Sequence, residues 1–470
     1  MLPDLESSVI YHIFPDRFCN EGQRYEVDPW GSPPNGRFQG GTLAGIKSKL
    51  DYILSLGCDM IYLNPIFSSP SNHRYDAVSY TEIDKRLGTL DDFSALVSAM
   101  HAKGMRLMMD IAFNHTSTEH PKFREALSGS REASGWYHFA DGDRYEDGWV
   151  RKDGKSYLGW YGYEHMPKLN ISNVDVRLYH LNTLKFWSDL GADAYRFDVP
   201  SDINDRYFWG DVASAAKDKF RLAELWWEQK DWLRENQMHG QMNYPLLYYL
   251  MNFFAQDSIK WDELSGTGLG EGATKDFAKS NRDMPTFCQS IERLYAVGKS
   301  PDSDDWKISR RNMNLTGTTH DTARLTTYLP NPQIRDQILV FTMLSPGIPS
   351  IFYGDEYGME GRKDPDNRGA MDWGMAKKYN QHAALIRRLA ELRKAPAFSE
   401  GDYKIVYAEN DVYASTRTAG DKHALMVFNR SANSKNVTIP VEHEMSDGEE
   451  SVFKGKSIAV PAHSYRIFMD

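Results

Sequence analysis

Apolar and polar positions along this chain follow a strand rhythm and a helix rhythm in turn, up to about residue 400. Val9 to Phe18 alternates and is rich in β-formers, which predicts a strand. Residues 20–40 are rich in Gly, Pro and Asn and read as a loop. From Thr42 to Leu56 the apolar residues Leu43, Ile46, Leu50, Ile53 and Leu54 form one helical stripe, which Gly57 ends. Cys58 to Phe67 is then continuously apolar, as a parallel strand buried on both faces should be. The cycle repeats. Thr89-Leu-Asp-Asp92 reads as a cap ahead of Phe93, Leu96, Val97 and Met100; Gly104 stops that helix, and Met105 to Phe113 is the next strand. A helix over 174–190 leads to Gly191–Val199, and Phe220–Leu225, Gly240–Tyr244, Asn312–Gly317 and Pro349–Gly354 follow as strand candidates.

Eight strands separated by helical stretches predict an α/β fold, a parallel (β/α)8 TIM barrel. Residues 116–172 break the rhythm and are too long for a plain loop, so an inserted subdomain is expected after strand 3. Beyond about residue 400, short alternating segments at Tyr403–Ala408, Ala424–Phe428 and Tyr465–Phe468 predict a C-terminal antiparallel β-sandwich. The expected division is barrel over 1–115, insertion over 116–172, barrel again over 173–398 and sandwich over 399–470.

Composition narrows the function classes. The 470 residues fit one large barrel with a smaller domain. A net charge of −10 without any basic run argues against nucleic acid or an anionic membrane as partner. Met1-Leu-Pro-Asp-Leu-Glu6 has neither the basic nor the apolar region of a signal peptide, and no apolar run approaches the ~18 residues of a membrane span. A cytoplasmic protein is therefore expected. Cys19, Cys58 and Cys288 lie far apart and make neither a zinc pattern nor a disulfide framework.

The chemistry gathers at predicted strand ends. In Gly191-Ala-Asp-Ala-Tyr-Arg-Phe-Asp198, Arg196 and Asp198 stand two apart and share a face of the strand. A cation that close favours an ionised carboxylate, as a nucleophile requires; the alternative is a buried structural ion pair. Asp110, Asn114 and His115, then Glu224, then His320 and Asp321 stand at other strand ends, and a barrel brings such ends to one pocket. Three acidic groups suit a positively charged transition state, as in glycoside hydrolysis with retention. Asp198 is the expected nucleophile. Glu224, in an apolar setting ahead of Trp226 and Trp227, is the expected acid/base, and Asp321 would hold sugar hydroxyls with help from His115 and His320. His12, His101 and His138 read as packing or surface residues. Asp84, Asp91 and Asp92 read as loop and cap residues.

Four segments, Asp110–His115, Gly191–Asp198, Ala223–Trp226 and Thr319–Asp321, resemble in order the signature segments of the α-amylase family, glycoside hydrolase family 13. The resemblance runs from about residue 9 to the end and implies the same three catalytic roles. Met166-Pro-Lys-Leu-Asn170, Ser71–Asp76 and Met242–Pro245 resemble the neopullulanase, cyclomaltodextrinase and maltogenic amylase subfamily. That implies cleavage of α-1,4 bonds in maltooligosaccharides, pullulan, cyclodextrins or starch, with α-1,6 cleavage and transglycosylation as further activities. It also implies that His73 and Tyr75 line the subsite of the attacked glucose, Asp364 and Arg368 bind the next sugar on the non-reducing side, and Trp226 stacks in the acceptor subsite. Rival readings are an ordinary α-amylase, a 4-α-glucanotransferase, or a carbohydrate-binding protein that has lost catalysis; retention of all three carboxylates speaks against the last. That subfamily usually carries an N-terminal β-sandwich that helps form a dimer. Here the barrel pattern begins at once, so a monomer with a more open cleft is expected. Val199-Pro-Ser-Asp-Ile-Asn204 departs from the subfamily's Val-Ala-Asn-Glu-Val-Asp on the acceptor side. No cofactor is expected for the chemistry. The loop Asn20–Tyr25 partly resembles a calcium loop, so a structural Ca2+ is a further expectation.

Overall fold

The computed structural model describes residues 5–140, 148–259, 281–378 and 380–470. The reading of Met1–Asp4, residues 141–147 of the expected insertion, and 260–280 and 379 of the second barrel segment lie outside the described residues.

Eight short strands form the central sheet: β1 (Ile10–Ile13), β2 (Met60–Leu63), β3 (Arg106–Ile111), β4 (Ala194–Phe197), β5 (Phe220–Ala223), β6 (Gly240–Gln241), β7 (Met313–Leu315) and β8 (Ile348–Phe352). They run in the order β6-β5-β4-β3-β2-β1-β8-β7, each parallel to its neighbours. A parallel bridge between Met242, just past β6, and Met313 in β7 closes the ring. This is the expected barrel. Apart from Arg106 at the start of β3, every strand residue is buried, which is why these runs read as continuously apolar.

The strands are shorter than the apolar runs that announced them. β1 stops at Ile13 because Pro15 opens a helical turn over Pro15–Phe18. β6 keeps two residues because Asn243 caps the helix Tyr244–Leu250, its side chain accepting the Leu246 N–H. The predicted stripe from Leu43 is two helices, Leu43–Ser48 and Leu50–Ser55, parted at Lys49. Helix α1 (Leu90–Ala102) carries the expected capping box between Thr89 and Asp92. Helix α2 (Val174–Asp189) hands over to β4 through Gly191, at φ +100°, where a Cβ would meet Val97 Cγ1 at 2.7 Å. Only glycine accepts both the conformation and the contact.

Within 116–172, strands Phe139–Ala140, Trp149–Lys152 and Lys155–Leu158 form an antiparallel sheet on a core of Phe123, Trp136, Tyr137, Tyr157 and Leu169. The segment folds back onto the end of β3, where the Leu169 N–H donates to Asn114 O at 2.9 Å and His115 bridges Lys168.

The C-terminal region holds β9 (Asp402–Glu409), β10 (Val412–Ala419), β11 (Lys422–Asn429), β12 (Lys435–Thr438), β13 (Met445–Ser446), β14 (Ser451–Val452), β15 (Ser457–Val460) and β16 (Ser464–Met469). A sheet in the order β9-β10-β11-β16-β13-β14 faces the β12–β15 pair across Val412, Leu425, Val427, Val437, Ile458 and Val460, so it is a sandwich. The pattern did not predict β10, whose Ser415-Thr-Arg-Thr418 looks polar. Its Arg417 is fully buried nonetheless, donating to Leu344 O (2.7 Å), Phe398 O (2.7 Å) and Gly401 O (3.0 Å). Leu344 ends the barrel helix α3 (Pro332–Leu344), so one side chain ties sandwich to barrel. Arg417→Ala leaves buried carbonyls without donors and is expected to cost about 2–4 kcal/mol in urea unfolding. Arg417→Lys, which restores one of them, should fall between it and the wild type.

Candidate active site

The parallel register of β3 and β4 sets Asp110 beside Arg196, so the two side chains share a face of the sheet. Arg196 is fully buried. Its Nη1 donates to Asp110 Oδ1 (2.8 Å) and Asp198 Oδ1 (2.9 Å), and its Nη2 pairs with Glu224 Oε2 (3.0 Å). One guanidinium thus serves three carboxyl groups from three consecutive strands. Asp110 Oδ2 is also held by Tyr62 OH (2.5 Å), Tyr75 OH (2.7 Å) and Asn64 Nδ2 (3.1 Å). The chain leaves β4 through Val199, a β-branched residue at φ 33°, ψ 52°, and its N–H donates to Glu224 Oε2 at 3.0 Å. Such a conformation costs about 1–3 kcal/mol in a β-branched residue, and here it aims a donor at a predicted catalytic oxygen.

On the opposite side, Asp321 pairs with Arg368 Nη2 (3.3 Å) and His320 Nε2 (3.1 Å), and Arg368 Nη1 reaches Asp364 (3.1 Å). His320 Nε2 also meets Tyr75 OH at 2.6 Å, which links this group to the Arg196 cluster. A cleft of about 840 Å³ opens above. Nine of the twelve residues predicted from sequence line it: His73, Tyr75, His115, Asp198, Glu224, Trp226, Asp321, Asp364 and Arg368. Asp110, Arg196 and His320 lie one layer below, bonded to the residues that do.

Four aromatic residues of the lining lie outside the signature segments. Trp160, Tyr161 and Tyr163 belong to the insertion, and Trp227 follows Trp226. The Trp160 ring stacks on His115 at 5.2 Å, and its Nε1 donates to Asp202 Oδ2 at 2.8 Å. The Trp and Tyr content of the insertion was the only signal for the first three, and Trp227 stood out only as the neighbour of Trp226. His12 proves to be the satisfied core histidine expected, stacked on Tyr62 at 4.1 Å with Nε2 2.8 Å from Asn64 Oδ1. Asp84 lies in a loop as expected, but it is buried there, bound twice by Arg86 (2.8 and 2.6 Å) with Arg74 at 3.7 Å.

Electrostatics revise one expectation. Arg196 was expected to keep Asp198 ionised by itself. In the ligand-free cleft, burial and then the neighbouring Glu224 charge outweigh it and raise the Asp198 carboxyl well above its usual range. The guanidinium is divided among three carboxyls, and burial still raises Asp110 and Asp198. Burial, then Glu224, also pushes Asp321 up to about 7. Burial lowers His73 and His115 to about 3, so both imidazoles are neutral at working pH.

A profile of the alpha amylase catalytic domain matches residues 12–403. The chain belongs to the alpha-amylase family. A cyclomaltodextrinase of Geobacillus thermopakistaniensis (strain MAS1) is 31% identical over 457 residues, covering 94% of this chain and 72% of that protein. The intracellular maltogenic amylase of Bacillus subtilis is 30% identical over 91% of this chain and 69% of its own length. Among solved structures, Ttha1563 from Thermus thermophilus superposes with a TM-score of 0.87 at 30% identity, over 99% of both chains. The cyclic α-maltosyl-(1→6)-maltose hydrolase of Arthrobacter globiformis, in complex with that sugar, gives 0.82 at 28% identity over 100% of both. This alpha-amylase family member is accordingly an α-glucan-hydrolysing glycosidase.

The Asn20–Tyr25 loop is where a structural Ca2+ was expected. The Gln23 amide donates to Gly40 O (2.9 Å) and Arg86 O (3.2 Å), placing a donor where a cation would need oxygens. Among the described residues no three His, Cys, Asp or Glu side chains gather as ligands. Incubation with EDTA is expected to leave both Tm and activity unchanged. A second prediction concerns Asp321. An unfolded Asp takes up its proton near pH ~3.9, the folded one near 7. Between those values the native state binds more protons, so stability falls as pH rises through that window. Asp321→Asn should therefore match wild type near pH 4 and exceed it by about 1–2 kcal/mol at pH 8 in urea melts. Solvent reaches 27% of the Asp321 side chain and screens its charge, which keeps the gain small.

Proposed function

We propose that this family member hydrolyses α-1,4-glucosidic bonds of short linear and cyclic α-glucans with retention. In that reading Asp198 is nucleophile, Glu224 acid/base and Asp321 the group that holds the distorted sugar. The observation that carries this is the sharing of one guanidinium by Asp198 and Glu224. Held at 2.9 and 3.0 Å by the two nitrogens of one guanidinium, these carboxyls are neighbours, which supports the closely spaced pair of a retaining enzyme (roughly 5–5.5 Å) over the wider pair of an inverting one.

The same sharing divides the labour. Glu224 is the strongest charge that raises Asp198. With a proton on Glu224 that repulsion is gone and Arg196 is left to Asp110 and Asp198, which favours the ionised Asp198. The cluster then has a nucleophile and an acid at one pH. Asp198 attacks the anomeric carbon while Glu224 protonates the leaving oxygen; Glu224 then takes a proton from the water that breaks the glycosyl-enzyme bond. Asp321 binds hydroxyls of the sugar under attack, and the neutral His73 and His115 bring imidazole hydrogen bonds without added positive charge near the oxocarbenium. Asp364 and Arg368 extend binding to the next sugar. The named relatives act in this substrate range, and the intracellular maltogenic amylase supports a cytoplasmic location.

A second reading, preference for α-1,6 bonds, draws on the Nostoc punctiforme debranching enzyme, which superposes with a TM-score of 0.84 at 27% identity over 100% of this chain. Parallel digests of pullulan, β-cyclodextrin and soluble starch separate the two. Panose from pullulan together with ring opening of the cyclodextrin is expected. Maltotriose from pullulan would favour the debranching reading, and cleavage of starch alone an ordinary α-amylase. Asp198→Asn and Glu224→Gln should each lower kcat by about 10³-fold or more. Proton NMR of the first product should show the α-anomer; the β-anomer would overturn retention.

A further inference from the structure

Arg221, the second residue of β5, is buried without a counter-ion. Its neighbour Leu222 pairs with Arg196 and shares the inner face of the barrel, so Arg221 points outward to the helices. The guanidinium donates to Ala216 O (2.8 Å), Lys219 O (3.3 Å) and Gln237 O (3.2 and 3.0 Å). Two of these carbonyls lie just past the carboxyl ends of the helices Arg206–Ala215 and Lys230–Glu235. All are uncharged acceptors, and no carboxylate among the described residues pairs with Arg221. Burial lowers its pKa to about 10.

His239, which precedes β6, stands beside it. Its Nδ1 lies 3.0 Å from the Arg221 backbone nitrogen and its Nε2 3.1 Å from Arg221 Nη2, so both ring nitrogens face a donor. A neutral imidazole accepts at one nitrogen only. Burial, then the charges of Arg221 and Arg311, lowers His239 to about 3 and keeps it neutral. The backbone N–H is fixed by its strand and takes Nδ1 as acceptor, so Nε2 carries the hydrogen. Nε2–H and Nη2–H therefore converge, two donors with no protein acceptor between them.

Both groups line a cavity of about 230 Å³. The helix Asp304–Arg311 turns Asp304, Lys307, Ile308 and Arg311 toward it, the spacing of one helical face. Arg234 also lines it but is engaged by Asp231 and Asp305. Lys307 donates to Asp302 O (2.8 Å), and Arg311 has no ion pair among the described residues. Asp304 alone opposes the charges of Arg221, Lys307 and Arg311. Arg221 and His239 stand at the amino ends of their strands, so the cavity lies on the face of the barrel opposite the cleft.

We infer that this cavity binds a tetrahedral oxyanion of the phosphate class, one oxygen bridging His239 Nε2 and Arg221 Nη2 and others facing Lys307 and Arg311. Water accepts from the two donors but leaves the positive charge in place; a phosphate oxygen answers both through charge-assisted bonds. The site stands independently of the catalytic reading.

Isothermal titration and thermal melts with inorganic phosphate test it, with ionic strength held constant by chloride. Wild type is expected to bind one phosphate per chain with a Kd of about 1 mM or tighter, and to melt at a higher Tm in its presence. Arg311→Gln should weaken binding about tenfold while glycosidase activity stays unchanged. His239→Asn keeps an acceptor for the backbone N–H but removes Nε2, so binding should weaken with the charge of the cavity unaltered. Should that variant melt early without ligand, Arg311→Gln decides. Glucose 6-phosphate titrated in parallel separates the two sources of the group: tighter binding than phosphate identifies a sugar ester, weaker binding the free ion. No heat and no Tm shift beyond the chloride control, or a Kd unchanged in Arg311→Gln, would overturn the site.

Discussion

A single buried guanidinium sets the terms for the rest of this molecule. Arg196 would be prohibitively costly inside an apolar barrel without partners. Three carboxyl groups from consecutive strands offset that cost, and none of the three would be tolerable there without it. The arrangement depends on register. Sliding β4 by one residue against β3 would turn Arg196 away from Asp110 and lose the cluster altogether. Ring closure between Met242 and Met313 and the unbroken apolar packing of the strands therefore serve the site as much as the fold.

Around that core the structure separates groups that hold from groups that touch. Asp110, Arg196 and His320 are buried beneath the floor, where Tyr62, Asn64 and Tyr75 fix their orientation. Asp198, Glu224 and Asp321 stand above them at the cleft. This layering keeps the reactive carboxyls within reach of sugar while their charge is managed from below, as preorganised electrostatic catalysis requires. The insertion supplies the remaining wall. Its own small aromatic core makes it rigid enough to carry Trp160 and Tyr161, and the Trp160–Asp202 hydrogen bond ties it to the loop that follows the nucleophile strand.

The C-terminal sandwich contributes no cleft residue but is bonded firmly to the barrel. Arg310 and Arg417 are both buried and cross the junction, Arg310 donating to Glu400 O (2.7 Å) and Arg417 to Leu344 O (2.7 Å). Carbonyls fill the fixed fork of a guanidinium, and these two forks tie the sandwich to the barrel.

Much of this was legible in the chain. Continuous apolar runs ending in Asp, Glu, Asn or His marked the strands and the side of the barrel that carries chemistry, because a parallel strand is buried on both faces and only its carboxyl end can bear polar groups toward a cleft. The spacing of Arg196 and Asp198 already required a shared face. What the chain could not reveal by itself lay between elements. β10 looked polar because the donors of Arg417 find their carbonyls on segments distant in sequence. Trp160 and Tyr161 had no signature because only the folded insertion carries them to the cleft. The protonation balance of Asp198 also escaped local reading. Arg196 stands two residues away, but burial in the closed barrel, and then Glu224 delivered by the next strand, outweigh it. Local pattern determined which residues form strands and carry charge; Coulomb energy and burial depend on distances through space, and only the closed barrel set those.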